Sequence, residues 1–428
     1  MPDTGFEIVR DPLWNNIRLD DASRRLVDTP VFQRLRYVRQ RGLAYLVYPG
    51  ATHTRFEHAL GAHHLAGRTL ALLAERGELR DVADDECAVV RAAALLHDVG
   101  HYPFSHALEE IGAEHHEEVA RPLITGGPVA AILRETIGAG ADDRVHALVC
   151  GTSRSPLQGL ISGSLDLDKL EYLKRDALMC GVPYGEIDVD RLLHSLVLLD
   201  DDERGLPAVG VREKGLAALE SQLFAKYQMY RNVYWHHAVR AATAMYKRLV
   251  DDALRDGRLD PRGLAAHTDE GLLHALERPA LPPLLAALRE RRLYKRVLEH
   301  PAAELHGETA EWIASDRALA VATEDRLAAE LGLAPGELLL DYPAKTQMLG
   351  LDLLVQSRDG RTRRLTSAGW AAGMNLPRLS EELYRSARWL RVFAVRRMHV
   401  PAARILALLQ RPADEVRAAL VAGAPLLR

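Results

Sequence analysis

From Val89 to Leu96 every residue but Arg91 is apolar, and the run leads straight into His97 and Asp98. An apolar stretch this continuous belongs on a deeply buried helix. Acids at Asp84, Asp85 and Glu86 mark its start, and Gly100 and Pro103 mark its end. A buried helix that ends on two polar side chains must satisfy them, because unpaired polar atoms in a core cost free energy. The rest of the chain therefore has to bring a hydrogen-bond network or a metal ion to that end. Neighbouring helical residues point about 100° apart, yet a long imidazole and a short carboxylate can still reach one ion in the wedge between them.

The remainder also reads mainly as helix, with Ala, Leu, Arg and Glu abundant and apolar residues three and four apart. "ASRRLVDTPVFQRLRYVRQRG" predicts two short helices broken at Pro30, the second ending at Gly42. "FEHALGAHHLAGRTLALLAERG" predicts a long helix stopped by Gly77. Residues 194–213 hold two apolar runs around an acidic, Gly-containing turn, which predicts a hairpin. Residues 338–367 predict two more strands with Asp359-Gly360 at the turn. The segment 255–283 mixes turn residues with helical patches. The expected fold is mainly α, a helical core with small β-hairpins and a minor α+β C-terminal portion. The expected division is a helical body over 1–300 and a portion over 301–428 packed on it and in subunit contacts.

With 428 residues, 48% hydrophobic and 27% charged, the chain is globular and long enough for two or three domains. A net charge of −4 offers no general attraction for nucleic acid or anionic membrane. Cys87, Cys150 and Cys180 are widely spaced, which points to reduced thiols. No basic leader and no run of about 18 apolar residues is present, so a cytoplasmic protein with no membrane partner is expected. The arginines of "RSARWLRVFAVRR", Arg385 to Arg397, fall at helical spacing and suggest a solvated face or subunit contact more than a nucleic-acid contact, with Trp389 in the core.

Histidines concentrate in the first 120 residues. His58 stands on the long helix, and "DLDKLEYLKRD" places Asp168 on another. A lone core histidine is the plain alternative for each. Together, His58, His97, Asp98 and Asp168 make a mixed N/O donor set suited to a divalent transition metal (Mn, Fe, Zn, Ni or Co), with Mg a companion of the substrate. Open positions would remain for water and a phosphate oxygen.

The order His58, His97-Asp98, Asp168 resembles the H…HD…D signature of HD-domain metal-dependent phosphohydrolases. Three longer stretches resemble the deoxynucleoside triphosphate triphosphohydrolases within that superfamily: "DTPVFQRLRYVRQRGLAYLVYPGATHTRFEHALG", "ALLHDVGHYPFSHALE" and "LDLDKLEYLKRDALMCG". "KYQMYRNVYWHHAV" fits as well, and the resemblance covers about residues 7–240. It implies hydrolysis of a dNTP at the α-phosphorus, releasing deoxynucleoside and intact triphosphate. It makes His58, His97, Asp98 and Asp168 the metal ligands. His106 becomes the acid for the leaving oxygen, oriented by Glu109, and His101 and His116 contact phosphate or aid proton transfer, with His115 a competitor for the role of His116. Arg55, Lys169 and Lys226 would hold phosphates. Gln40, Tyr172 and Asp176 would hold the sugar, and Tyr234 would lie near the base.

Arg41 stands where the family has a small apolar residue beside the sugar, which puts strict deoxy-selectivity in question. The resemblance also implies a homo-oligomer, tetramer or hexamer, and a second nucleotide site at Asp28, Gln33, Arg36, Arg291 and Lys295. Glu7, at a position where an activated relative carries lysine, opposes a triphosphate there, so a nucleotide activator stays open. Two rival functions remain: an HD phosphodiesterase or nuclease acting on nucleic acid or a cyclic nucleotide, and a non-catalytic nucleotide sensor.

Overall fold

The computed structural model describes residues 5–305, 309–344, 352–365 and 375–427. It opens on a hairpin that the sequence did not suggest, β1 (Glu7–Asp11) and β2 (Asn15–Leu19). Asn15 turns it at φ 63, a left-handed backbone that asparagine tolerates. Helices α1 (Asp21–Val27) and α2 (Pro30–Gln33) follow. Helix α2 tightens into a 3-10 turn over Arg34–Tyr37 and ends there, short of the expected Gly42. Beyond it the backbone is extended: Arg39 bridges Thr54, and the Gln40 amide donates to the His53 carbonyl. Tertiary pairing overrides the local helical pattern.

The long helix α3 (Arg55–Glu75) starts with a capping box between Thr54 and Glu57. It packs against α4 (Asp84–Leu96), whose first turn carries the three acids and whose last residues are wholly buried. Helices α5 (His116–Ile124), α6 (Gly127–Thr136) and α7 (Ala141–Val149) complete that side. Helix α8 (Leu167–Cys180), capped by Asp166 and ended by Gly181 at φ 68, lies along α3. After α9 (Val189–Leu193), strands β3 (Leu196–Asp201) and β4 (Leu206–Arg212) form the expected hairpin. Helix α10 (Leu216–Met229) widens into a π turn over Tyr230–Tyr234 before α11 (His237–Arg255). Such turns often mark functional positions.

Helices α12 (Asp269–Leu276) and α13 (Pro283–Arg289) lead to β5 (Lys295–Pro301). Then come α14 (Trp312–Ser315), α15 (Arg317–Glu330), β6 (Leu338–Asp341), β7 (Leu354–Gln356) and β8 (Thr362–Arg364). The chain closes with α16 (Leu376–Ala387), β9 (Trp389–Ala394), α17 (Ala402–Leu409) and α18 (Ala413–Val421).

Residues 338–367 thus hold three strands in two sheets rather than one hairpin. The β7–β8 hairpin does turn at Asp359-Gly360, and β7 joins β4 in parallel in a sheet ordered β3-β4-β7-β8. Strand β6 instead pairs with β9 in a second sheet ordered β5-β9-β6. Residues 345–351 and 366–367 of that segment lie outside the described residues. The arginine-rich stretch is strand β9, not a helix-spaced face. Of its arginines, Arg391 lies in this central strand and Arg388 just before it, both buried and ion-paired with Glu299 and Glu311, whereas Arg385 at the end of α16 and Arg396 and Arg397 beyond β9 are exposed. Trp389 is half-buried. The mainly α class with small sheets is as expected. Among the described residues no helix is long and apolar enough to cross a membrane.

Candidate functional site

The buried end of α4 delivers His97 and Asp98 to α3 and α8, and three groups meet there. His58 Nε2 lies 3.1 Å from His97 Nε2 and 2.9 Å from an Asp168 oxygen, and His97 Nε2 lies 3.6 Å from the same oxygen. Both Nδ1 atoms are already committed. His58 Nδ1 donates to Glu171 at 2.6 Å, and His97 Nδ1 donates to the Ala94 carbonyl at 2.9 Å. An imidazole protonated at Nδ1 presents a bare lone pair at Nε2. Across 3.1 Å beside a carboxylate the two Nε2 atoms need positive charge between them, a proton on His58 shared with Asp168 or a cation, and these three residues fit a cation.

Asp98 stands 3.5 Å from His97 Nε2 and 3.6 Å from His58 Nε2. Its other bonds are to Arg55, which donates at 2.6 Å, and to His101 Nε2 at 3.2 Å. Burial opposes charge on His58, but Asp168 and Glu171 outweigh it and raise its pKa to about 10. Burial likewise opposes charge on Asp98, and Arg55 with His97 holds it well below the ordinary carboxylate range.

Glu171 escaped the reading of the sequence. It orients His58 while accepting from the Trp14 indole at 2.9 Å and from Arg175 at 2.7 Å. Arg175 in turn holds Asp11 at 3.0 Å, so the unexpected N-terminal hairpin props the site from behind. The available signal was spacing: Glu171 lies one helical turn after Asp168. Gly61 of α3 makes room for it, because a Cβ there would overlap the Glu171 carboxylate.

Beside this cluster lies a second one. His101 and His116 stack at 3.6 Å between centroids, and His106 meets His101 edge-on at 4.6 Å. Glu109 accepts from Nδ1 of His106 at 3.2 Å and of His116 at 2.9 Å; His115 is more distant at 3.8 Å and exposed. The turn that carries them is strained, with Phe104 and Ser105 at φ 58 and 69. Burial, then Arg55 and His116, holds the His101 pKa well below the ordinary histidine value.

Both clusters open on one cavity of about 620 Å³, whose wall includes Gln40, Arg41, Arg55, His97, Asp98, His101, His106, Glu109, His116, Asp168, Lys169, Tyr172, Lys226 and Tyr234. Of the residues expected on substrate, Lys169 is tethered by Asp166 and the Gly163 carbonyl. Lys226 makes no ion pair among the described residues, and burial together with the charge of Lys169 pushes its pKa down to about 7. Arg55 commits its terminal nitrogens to Asp98 and, at 2.5 Å, Ser105. Asp176 is wholly buried behind the wall, where it accepts from His53 and from the Tyr234 hydroxyl at 2.7 Å each.

The residues expected at a second nucleotide site lie off this cavity. Asp28 is exposed, Arg36 covers the Phe56 ring and donates to Gln33, Arg291 donates to the Leu46 carbonyl, and Lys295 is exposed on β5.

The family profile described as "HD domain" matches residues 55–139, and that described as "HD associated region" matches residues 187–370. An uncharacterised protein of Methanocaldococcus jannaschii is 36% identical over 69% of this chain and 60% of its own. The uncharacterised protein YwfO of Bacillus subtilis is 33% identical over 58% of this chain and 56% of its own. A protein of Dictyostelium discoideum named as a deoxynucleoside triphosphate triphosphohydrolase SAMHD1 homolog is 28% identical over 68% of this chain and 60% of its own. The chain thus spans less than two thirds of the length of these relatives. A crystal structure of a hypothetical protein from Aquifex aeolicus superposes with a TM-score of 0.69 at 27% identity, covering 97% of this chain and all of that one. The order of His58, His97-Asp98 and Asp168, the fold and these matches agree: the chain carries an HD domain followed by an HD-associated region, and proteins named as SAMHD1 triphosphohydrolases are among its homologues.

Proposed function

We propose that the protein is a divalent-metal-dependent phosphohydrolase that cleaves deoxynucleoside triphosphates to deoxynucleoside and intact tripolyphosphate. The observation that carries this reading is the pair of Nε2 atoms facing across 3.1 Å beside Asp168, on a cavity that also holds Lys169 and Lys226. Its relatives named as dNTP triphosphohydrolases support the choice of substrate.

His58, His97 and Asp168, with Asp98 beside them, would hold the cation. When bound, the cation would offset charge on phosphate oxygens and make water at its open positions more acidic. The chain's own residues do the rest. Lys226, without a carboxylate partner among the described residues, takes phosphate charge, and Lys169, tethered by Asp166, adds a second positive charge at a fixed place. Glu109 fixes His106 through Nδ1, which leaves Nε2 to hand a proton to the departing 5′-oxygen. Glu171 fixes His58 in the same way, from outside the reacting atoms. A homo-oligomer belongs to the same proposal and is checked by sedimentation.

The test is to incubate the purified protein with each dNTP and Mn, Mg or Co, and to resolve products by ion exchange. Tripolyphosphate and deoxynucleoside are expected, lost in His97→Ala and in Asp98→Ala. Monophosphate and pyrophosphate, or mononucleotides released from single-stranded DNA, would instead favour a phosphodiesterase. Nucleotide binding without turnover on any metal would leave a sensor.

A further inference from the structure

A second cavity, of about 730 Å³, lies apart from the first and shares no wall residue with it. It runs along one face of α3, where His63, Gly67, Leu70, Ala71 and Ala74 follow at helical spacing over about 16 Å. Leu79 and Val82 from the connection into α4, Cys87 of α4 and Arg18 of β2 add to the wall. The floor is open: a Cβ at Gly67 would meet no atom within 4 Å. Glycine weakens the middle of a helix, and here neither a close neighbour nor a positive φ calls for one. With Ala71 and Ala74 on the same face, Gly67 keeps an apolar trough clear.

Of the arginines in its wall, Arg68 is paired with Asp190 at 2.6 Å and Arg91 with Asp20 at 2.7 Å. Arg18 and Arg80 are exposed and make no ion pair among the described residues; Arg18 lies 5.0 Å over the Phe6 ring. Among the described residues Asp84 is the one carboxylate in the wall. His63, 2% exposed, donates Nδ1 to the Arg91 carbonyl at 3.1 Å, and burial followed by the charge of Arg91 pushes its pKa down to about 4. The imidazole is therefore uncharged near neutral pH and adds no charge to the wall. An apolar trough with two unpaired guanidinium groups at its edge suits an occupant that is apolar along its length and anionic at one end.

We propose that this trough binds an amphiphilic anion, an unbranched acyl chain ending in a carboxylate, with the chain along Gly67, Ala71 and Ala74 and the carboxylate at Arg18 or Arg80. Each methylene buried against α3 tightens binding about fourfold. The carboxylate accepts a charge-assisted hydrogen bond from a guanidinium that has no carboxylate partner among the described residues, which adds about tenfold. The two contributions belong to different parts of the ligand, so they are separable by changing the chain or the head alone.

The experiment titrates the full chain, by calorimetry, with hexanoate, octanoate, decanoate and dodecanoate, each below its micelle-forming concentration. One site is expected, with Kd falling about fourfold per methylene until the trough is full. Decanol, with the chain but no charge, should bind about tenfold more weakly than decanoate. Gly67→Leu puts a side chain into the trough and should abolish binding, with thermal unfolding no lower than in the wild type because leucine is the better helix former. The double variant Arg18→Glu with Arg80→Glu should weaken decanoate and leave decanol unchanged. An affinity independent of chain length, decanol as good as decanoate, or binding unchanged in Gly67→Leu overturns the proposal. So does co-sedimentation with phosphatidylglycerol vesicles in the absence of binding to the free carboxylates, which would assign a membrane surface instead. Should Gly67→Leu fail to fold, the chain series and decanol on the wild type decide by themselves.

Discussion

At the scale of single residues, the site depends on groups that never touch substrate. Glu171 holds His58 by one hydrogen bond and is itself held by Trp14 and Arg175. Glu171→Gln keeps the shape but removes the charge that fixes the His58 tautomer. Metal affinity, read by calorimetry, should fall about 10- to 100-fold, with the fold intact by circular dichroism. Lys226 gives a pH signature. Its pKa is about 7 in the folded protein against an ordinary 10.5. The free enzyme therefore loses this cation as pH rises through about 7, and kcat/KM should decline above that point. Lys226→Arg, charged throughout, should flatten that limb. The same shift bears on folding. Between about 7 and 10.5 the folded state binds fewer protons at Lys226 than the unfolded chain, so stability rises with pH there, and the burial penalty is complete below it. Lys226→Met should raise Tm at pH 6 to 7, and the gain should shrink toward pH 10.

At the scale of elements, close approach and buried charge set the geometry. Helices α3 and α8 meet where Gly61 faces Glu171, and a Cβ at residue 61 displaces the carboxylate. Gly61→Ala should thus mimic the loss of Glu171 in metal titrations, although alanine is the better helix former. The turn that carries Glu109 is fastened one residue on. Arg240 of α11 clamps Glu110 at 2.8–2.9 Å and Asp341 of β6 at 2.6 Å, while Lys247 also reaches Glu110 at 2.8 Å. Arg240→Leu removes the direct partner of the buried Asp341, leaving it only Lys247 at 3.9 Å, and should cost about 3–5 kcal/mol in chemical denaturation. These ties, unlike the candidate metal ligands, had no signature in the sequence. Glu110 is an ordinary acid beside Glu109, and Asp341 lies some 230 residues away in a run of leucines.

At the scale of the whole molecule, the cavity gathers distant parts of one chain. Its lining residues fall within 40–55, 97–117, 149–172 and 226–243, with Pro343 and Ala344 after β6. The three largest hydrophobic cores among the described residues lie under α3, α4 and α8, around α11, and between the β5-β9-β6 sheet and helices α15, α17 and α18. A cation that joins α3, α4 and α8 links much of the first core, so chelation should lower Tm as well as abolish activity. At 100-fold excess over its Kd, the metal adds about 2.7 kcal/mol. Thermal scans with and without chelator, followed by addition of Mn, measure it.

The order and spacing of His58, His97, Asp98 and Asp168, the long helices and the 194–213 hairpin were legible because each is a local pattern: helical period, capping residues, or polar groups at the end of an apolar run. Strands β1, β2, β5 and β9 were not, because a short strand is defined by the partner it pairs with, and β9 sits between strands about 50 and 90 residues away. The same holds within the site. The sequence supplied the donors. The tertiary structure decided that Asp176 sits behind the wall, that Arg41 stands before it, and that two imidazoles face each other across 3.1 Å. Those outcomes depend on how α3, α4, α8 and the 38–54 segment pack together, and no local pattern encodes that packing.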